Sequence, residues 1–208
     1  MNNNIKSIKK SPLLMSFIFT IVIFLVVYLI KNGQEAYLEY KRTEKLKDLE
    51  INEIGYQEEL PEYNKAFYML ENLLLKVQKF LQILGNMHPY NKDVKRLISR
   101  MKKVEIQESP NEKDVSSYTI DKGQLISICL RNKNDLTNFH DENTMWFVIC
   151  HELAHVMSVT EGHNSEFIKN FKFLLTESAN YNMYNPVDYR KNNITYCGVK
   201  VTNNPYFN

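Results

Sequence analysis

Cysteine is scarce in this 208-residue chain: Cys129, Cys150 and Cys197 stand far apart, odd in number and without a CxxC pair. Neither a disulfide framework nor a cysteine zinc site is indicated; at most one bridge can form, leaving one thiol over. An excess of one charge is also lacking, since 26 Lys and Arg oppose 24 Asp and Glu for a net charge of +2. No nucleic-acid partner can be argued from so even a balance. Repeats at solenoid periods are absent. With 44% hydrophobic and 24% charged residues, the chain lies outside the disordered class and can bury one ordinary core.

One long apolar run is present. "PLLMSFIFTIVIFLVVYLI", Pro12 to Ile30, carries no charge over nineteen residues, about 28 Å as a helix and close to the hydrocarbon thickness of a bilayer. It exceeds a signal-peptide core and lacks a small-residue cleavage site after it, so it reads as an uncleaved anchor. Lys6, Lys9 and Lys10 just before the run favour a cytoplasmic N-terminus, with the sequon Asn193-Ile194-Thr195 then across the membrane. The expected organisation is a basic segment over 1–11, a transmembrane helix over 12–30 that partners the lipid bilayer, a charged helical stalk over 31–58, and a compact domain over 59–208.

Within that domain, apolar spacing predicts a helix over 61–84, with Pro61 in its first turn and Gly85 as its stop, and a second over 91–103. "KVEIQE", "SSYTID" and "QLISICLR" predict a short, mainly antiparallel sheet, and "ITYCGVKV" one further strand-like stretch. Asp141 or Asn143 can cap a helix carrying Trp146 to Met157; Asn164 or Ser165 can cap the next, through Phe167, Phe171 and Leu175. The fold class is α+β.

The chemistry concentrates in "MWFVICHELAHVMSVTEGHNSEF", residues 145–167. HExxH places His151 and His155 one helical turn apart, so both imidazoles can reach one zinc ion. Glu152 is rotated about 100° from His151 and can approach a water as general base without becoming a ligand. In so apolar a helix these polar groups would be costly to bury unpaired, and a metal offsets that cost. A catalytic zinc wants three protein ligands and an open position. His163 is favoured as the third, because Gly162 can reverse the chain towards the metal; Glu177 on the following helix is the competing choice. Tyr184 and Tyr189 are candidate oxyanion donors, and "LISICLR" a strand that could pair with an extended substrate.

The segment "HELAHVMSVTEGHNSEFIKNFKFLL" resembles the active-site segment of SprT-like and WLM-type zinc metalloproteases, with Gly162, His163, Glu166 and Phe167 at the positions that follow HExxH. It is also similar to small proteases of this kind encoded by large DNA viruses. The resemblance implies a zincin-like domain with one Zn2+, acting on a protein or peptide substrate. The longer metzincin pattern is absent, as Ser158 and Glu161 stand where its glycine and third histidine belong. The resembled proteins act on proteins crosslinked to DNA and are mainly soluble, so the membrane run departs from them. The alternative expectation is a non-catalytic, membrane-tethered adaptor in which zinc only stabilises the domain.

Overall fold

A computed structural model describes residues 21, 23–34, 54–112 and 115–208. The chain divides into two compact units, 1–48 and 49–208. In the first, 23–34 are helical, while 12–20 and 22 of the expected span lie outside the described residues, as do the basic segment and 35–53 of the stalk. Among the described residues no helix is long and apolar enough to cross a membrane.

In the second unit, α1 (Tyr63–Met87) buries the stripe Leu70, Leu74, Val77, Phe80 and Leu84, each fully buried aliphatic side chain contributing about 1.5–3 kcal/mol. Pro61 lies just outside it. Gly85 does not stop this helix, which runs on to Met87. A Cβ on Gly85 would come within 3.1 Å of Ile98 Cδ1, so its small size serves close packing against the next helix. That helix, α2 (Lys92–Arg100), starts where Asn91 Oδ1 accepts from the amides of Asp93 and Val94.

The main sheet has the order β1-β2-β4-β3, from β1 (Ile54–Gly55), β2 (Glu105–Glu108), β3 (Tyr118–Ile120) and β4 (Leu125–Ile128). Its pairing departs from the antiparallel expectation: β1–β2 and β2–β4 are parallel and only β3–β4 is antiparallel. The β3–β4 turn passes through Asp121, Lys122 and Gly123, all at positive φ. Gly123 also approaches helix residue Val156 so closely that a Cβ would meet Cγ1 at 2.9 Å. Strand β4, which carries most of "LISICLR", is therefore interior and has no free edge; β3 is the open edge beside the helix that carries His151 and Glu152. Ile54–Gly55 joins this sheet, so ordered pairing reaches into the segment expected as stalk.

Two hairpins are antiparallel. One is β5 (Arg131–Asn132) with β6 (Asp135–Phe139). In the other, "ITYCGVKV" folds back on itself as β7 (Ile194–Tyr196) and β8 (Val199–Val201), because Cys197 and Gly198 both take positive φ. Buried Arg131 pairs with buried Glu108 at 2.5 Å and donates to the carbonyls of Pro61 and Leu136, tying β5 to β2 and to the approach to α1. Cys129 and Cys197 are bonded, and Cys150 is free and buried. The one bridge that the sequence allows thus joins Cys129 to Cys197, and Cys150 is the thiol left over, packed in the core.

At the centre lies α3 (Glu142–Met157), capped by Asp141 on the amide and hydroxyl of Thr144. Trp146, Ile149, Cys150, Leu153 and Val156 are buried around it. The helix α4 (Ser165–Asn180), capped by Asn164, packs along it through Phe167, Phe171, Leu174 and Leu175.

Candidate metal centre

Three imidazoles converge where α3 meets the loop that leads to α4. His151 and His155 come from successive turns of α3, and His163 from just beyond Gly162, whose φ of 77° reverses the chain. Their Nε2 atoms form a triangle of 3.2 Å (His151–His155), 3.2 Å (His155–His163) and 3.0 Å (His163–His151). Tetrahedral zinc with Zn–N near 2.0–2.1 Å requires N···N separations of about 3.3 Å, so the donor set fits the ion to within a few tenths of an ångström. Phe167 lies under all three rings, with centroids 4.8, 4.3 and 4.7 Å from those of His151, His155 and His163.

The electrostatics favour a metal over protons. Burial, then the neighbouring imidazoles of His155 and His163, hold His151 down to about 3. Burial, then His163 and Lys122, hold His155 down to about 4. At neutral pH both rings are therefore uncharged, with nitrogen lone pairs free for a cation.

Glu152 is only 4% exposed, and burial raises its carboxyl to about 7 against the opposing hydrogen bond from Thr119. Thr119 Oγ1 donates to Glu152 Oε2 at 2.7 Å. Nothing near Glu152 in the chain announces that contact, because it arises only when β3 pairs with β4 and brings Thr119 over α3.

The ligand loop is clamped at several points. Glu166 accepts from the amides of Val159 and Thr160 and from the Thr160 hydroxyl, and these hydrogen bonds hold its carboxyl down to about 2. Arg100 donates to the carbonyls of Val156 and Ser158, and Arg96 to that of Met157; these cations sit at the negative end of the α3 dipole. Asn170 donates to Ser158 Oγ.

Other candidates lie elsewhere. Glu177 Oε2 is 2.9 Å from His88 Nε2, and the histidine cluster does not include it. Tyr184 and Tyr189 are core residues: Tyr184 accepts from Asn204, and Tyr189 packs edge-on against Phe147 with centroids 4.9 Å apart. Neither lines the cavities beside the histidines. The tyrosines that line them are Tyr118, in the larger cavity, and Tyr196, in the smaller, whose hydroxyl donates to Cys129 O at 2.6 Å and meets Ser117 Oγ at 3.1 Å. His140 stands beside the Cys129–Cys197 bridge, its Nε2 3.6 Å from Cys197 Sγ.

A family model, the WLM domain, matches residues 104–206. The chain is 34% identical over 112 residues to an uncharacterized protein of Acanthamoeba polyphaga mimivirus, covering 54% of this chain and 56% of that one. It is 30% identical over 163 residues to an uncharacterized protein of Invertebrate iridescent virus 6, covering 71% of this chain and 84% of the relative. The chain thus spans little more than half of the first relative's length. Among solved structures, Wss1 from Saccharomyces cerevisiae is similar with a TM-score of 0.49 at 16% identity, over 64% of this chain and 91% of that one.

Proposed function

The chain belongs to the WLM domain family, and on that premise, with its metalloprotease-type chemistry at family level, we propose that it is a zinc-dependent metallopeptidase acting on protein substrates. The observation that carries this reading is the convergence of three Nε2 atoms within 3.2 Å of one another, beside a carboxylate held by Thr119. His151, His155 and His163 would hold the ion. Zinc bound there supplies Lewis acidity, bringing water within reach of deprotonation near neutral pH and polarising the scissile carbonyl. Glu152 is the general base. Thr119 engages Oε2, so Oε1 is the atom offered to the water proton, which it then passes to the leaving amine. The open edge of β3 can take an extended substrate backbone as an added strand, the part expected of "LISICLR" before β4 proved interior.

Anchoring through residues 12–30, with a cytoplasmic N-terminus, belongs to the same reading. It is supported by the nineteen uncharged residues of the run and by Phe24 and Leu29, which lie exposed on the helical part. Resistance of the full chain to carbonate extraction tests it.

Glu152→Gln tests the chemistry, because it removes the base and leaves all three imidazoles. The expected result is full zinc content with cleavage of an unfolded protein reduced by several orders of magnitude. Equal inactivity of the zinc-loaded wild type would instead favour the non-catalytic adaptor.

A further inference from the structure

The surroundings of the histidine cluster are unequal on its two sides. On one side a cavity of about 670 Å³ runs beneath β3 and is lined by polar and charged groups, among them Thr119, Asp121, Lys122 and Glu161. On the other a cavity of about 370 Å³ opens from His151, Glu152 and His163 onto apolar surface. Its floor is a run of aromatic rings: His151 lies 5.2 Å from Phe171, and Phe171 5.1 Å from Phe147, centroid to centroid. Val148, Ile168 and Val201 complete the apolar lining. Polar groups are also present, Ser116, Thr202 and Asn203 among them, together with one cation, the exposed Lys200. The β7–β8 hairpin supplies the outer wall, tethered by the Cys129–Cys197 bond and by the Tyr196 hydroxyl on Cys129 O.

Resting on the peptidase reading above, we propose that this second cavity is a specificity pocket taking one large apolar or aromatic side chain of the substrate, at a fixed position beside the scissile bond. The occupant follows from the lining. Its volume accommodates a whole aromatic side chain, and burying one against Phe171, Val148 and Ile168 removes apolar surface from water. An acidic side chain there would be desolvated against the aromatic floor, and the cation of the lining, Lys200, is solvent-exposed and offsets that cost only weakly. A glycine or alanine would leave the space unfilled. The pocket opens directly onto His151 and Glu152, so its occupant adjoins the bond under attack, while the polar cavity receives the other side of the chain with no comparable selection.

Two measurements on the full-length protein test this. In the first, sites cut in an unfolded protein by the zinc-loaded wild type and by Ile168→Lys are mapped by mass spectrometry. Ile168 is 42% exposed, so the change leaves the core intact, and circular dichroism checks the fold. The wild type should show Leu, Phe, Met and Tyr enriched about tenfold at one fixed position next to the cut, and Ile168→Lys should shift that position towards Asp and Glu. In the second, calorimetry on Glu152→Gln compares two unstructured decapeptides that differ only in one central Phe or Asp. The Phe peptide should bind at least about tenfold more tightly, as expected for burial of one large apolar side chain. Cuts without positional preference, or equal affinity for the two peptides, overturn the pocket and leave the peptidase reading standing. Absence of any cleavage together with Phe-selective binding overturns the peptidase reading and supports the pocket.

Discussion

Thr119→Val removes one hydroxyl from β3 and keeps the β-branched shape that the strand requires. In the folded protein that hydroxyl donates to Glu152 Oε2 at 2.7 Å, in a setting where burial already raises the carboxyl to about 7. A hydrogen bond to an ionised acceptor contributes about 1.5–3 kcal/mol, and its loss leaves a buried oxygen without that partner. At 1.36 kcal/mol per pH unit, the acidic limb of the pH–rate profile should move to higher pH by about one to two units, because the base must be ionised to work. The assay is kcat/KM for an unfolded protein from pH 5 to 9, with wild type and variant both fully loaded with zinc. Elemental analysis should show equal metal, since no imidazole is touched. Thr119→Ser keeps the donor and should restore the wild-type limb. An unmoved limb in Thr119→Val, with zinc and fold retained, would refute the assignment of Thr119 as the residue that positions the base.

Loss of the third imidazole in His163→Ala should weaken zinc affinity strongly by titration, whereas Glu177→Gln should retain zinc, because that carboxylate pairs with His88 instead. Gly162→Val should resemble His163→Ala in that titration: no neighbouring atom blocks a side chain, but φ of 77° disfavours a β-branched residue. Phe167→Ala should lower unfolding free energy by about 3–5 kcal/mol in a denaturant titration and loosen zinc binding, since its ring supports all three imidazoles. For the metal-free protein, His151 and His155 have folded values depressed below 6.5, so their contribution is present above about pH 6.5 and lost as pH falls towards 4 and 3. Glu152 is raised from 4.5 to about 7 and acts oppositely, its contribution being lost as pH rises through that range. Midpoints of thermal unfolding from pH 4 to 8, with and without zinc, should show the acid-side loss, and zinc affinity should fall with it.

Several features follow from local physics, although Gly85, a local stop signal, is overridden by close packing against Ile98. His151 and His155 share a face because four residues make about one helical turn, and Asp141 and Asn164 cap because a short polar side chain reaches the free amides two or three residues on. Gly162 turns the chain because only glycine takes positive φ at no steric cost. Those few residues suffice to assemble the three imidazoles, all within thirteen positions of one another. The remaining features depend on which distant surfaces meet. Thr119 reaches Glu152 across 33 positions, Cys129 meets Cys197 across 68, and Glu177 finds His88 across 89; no local pattern encodes such pairs. The parallel pairing of β2 with β4, and with it the choice of β3 as the open edge, is likewise decided by packing, since a short alternating strand carries no mark of its neighbour's direction. Tyrosine composition says nothing of which rings line the cleft: Tyr184 and Tyr189 are buried against Phe147, whereas Tyr118 and Tyr196 line the cavities beside the histidines. Helical spacing thus placed His151 and His155 on one face and Gly162 turned His163 towards them, while only the tertiary fold decided what holds Glu152 and what lines the cavities, because a side chain's partner across the core is a property of the whole packed chain.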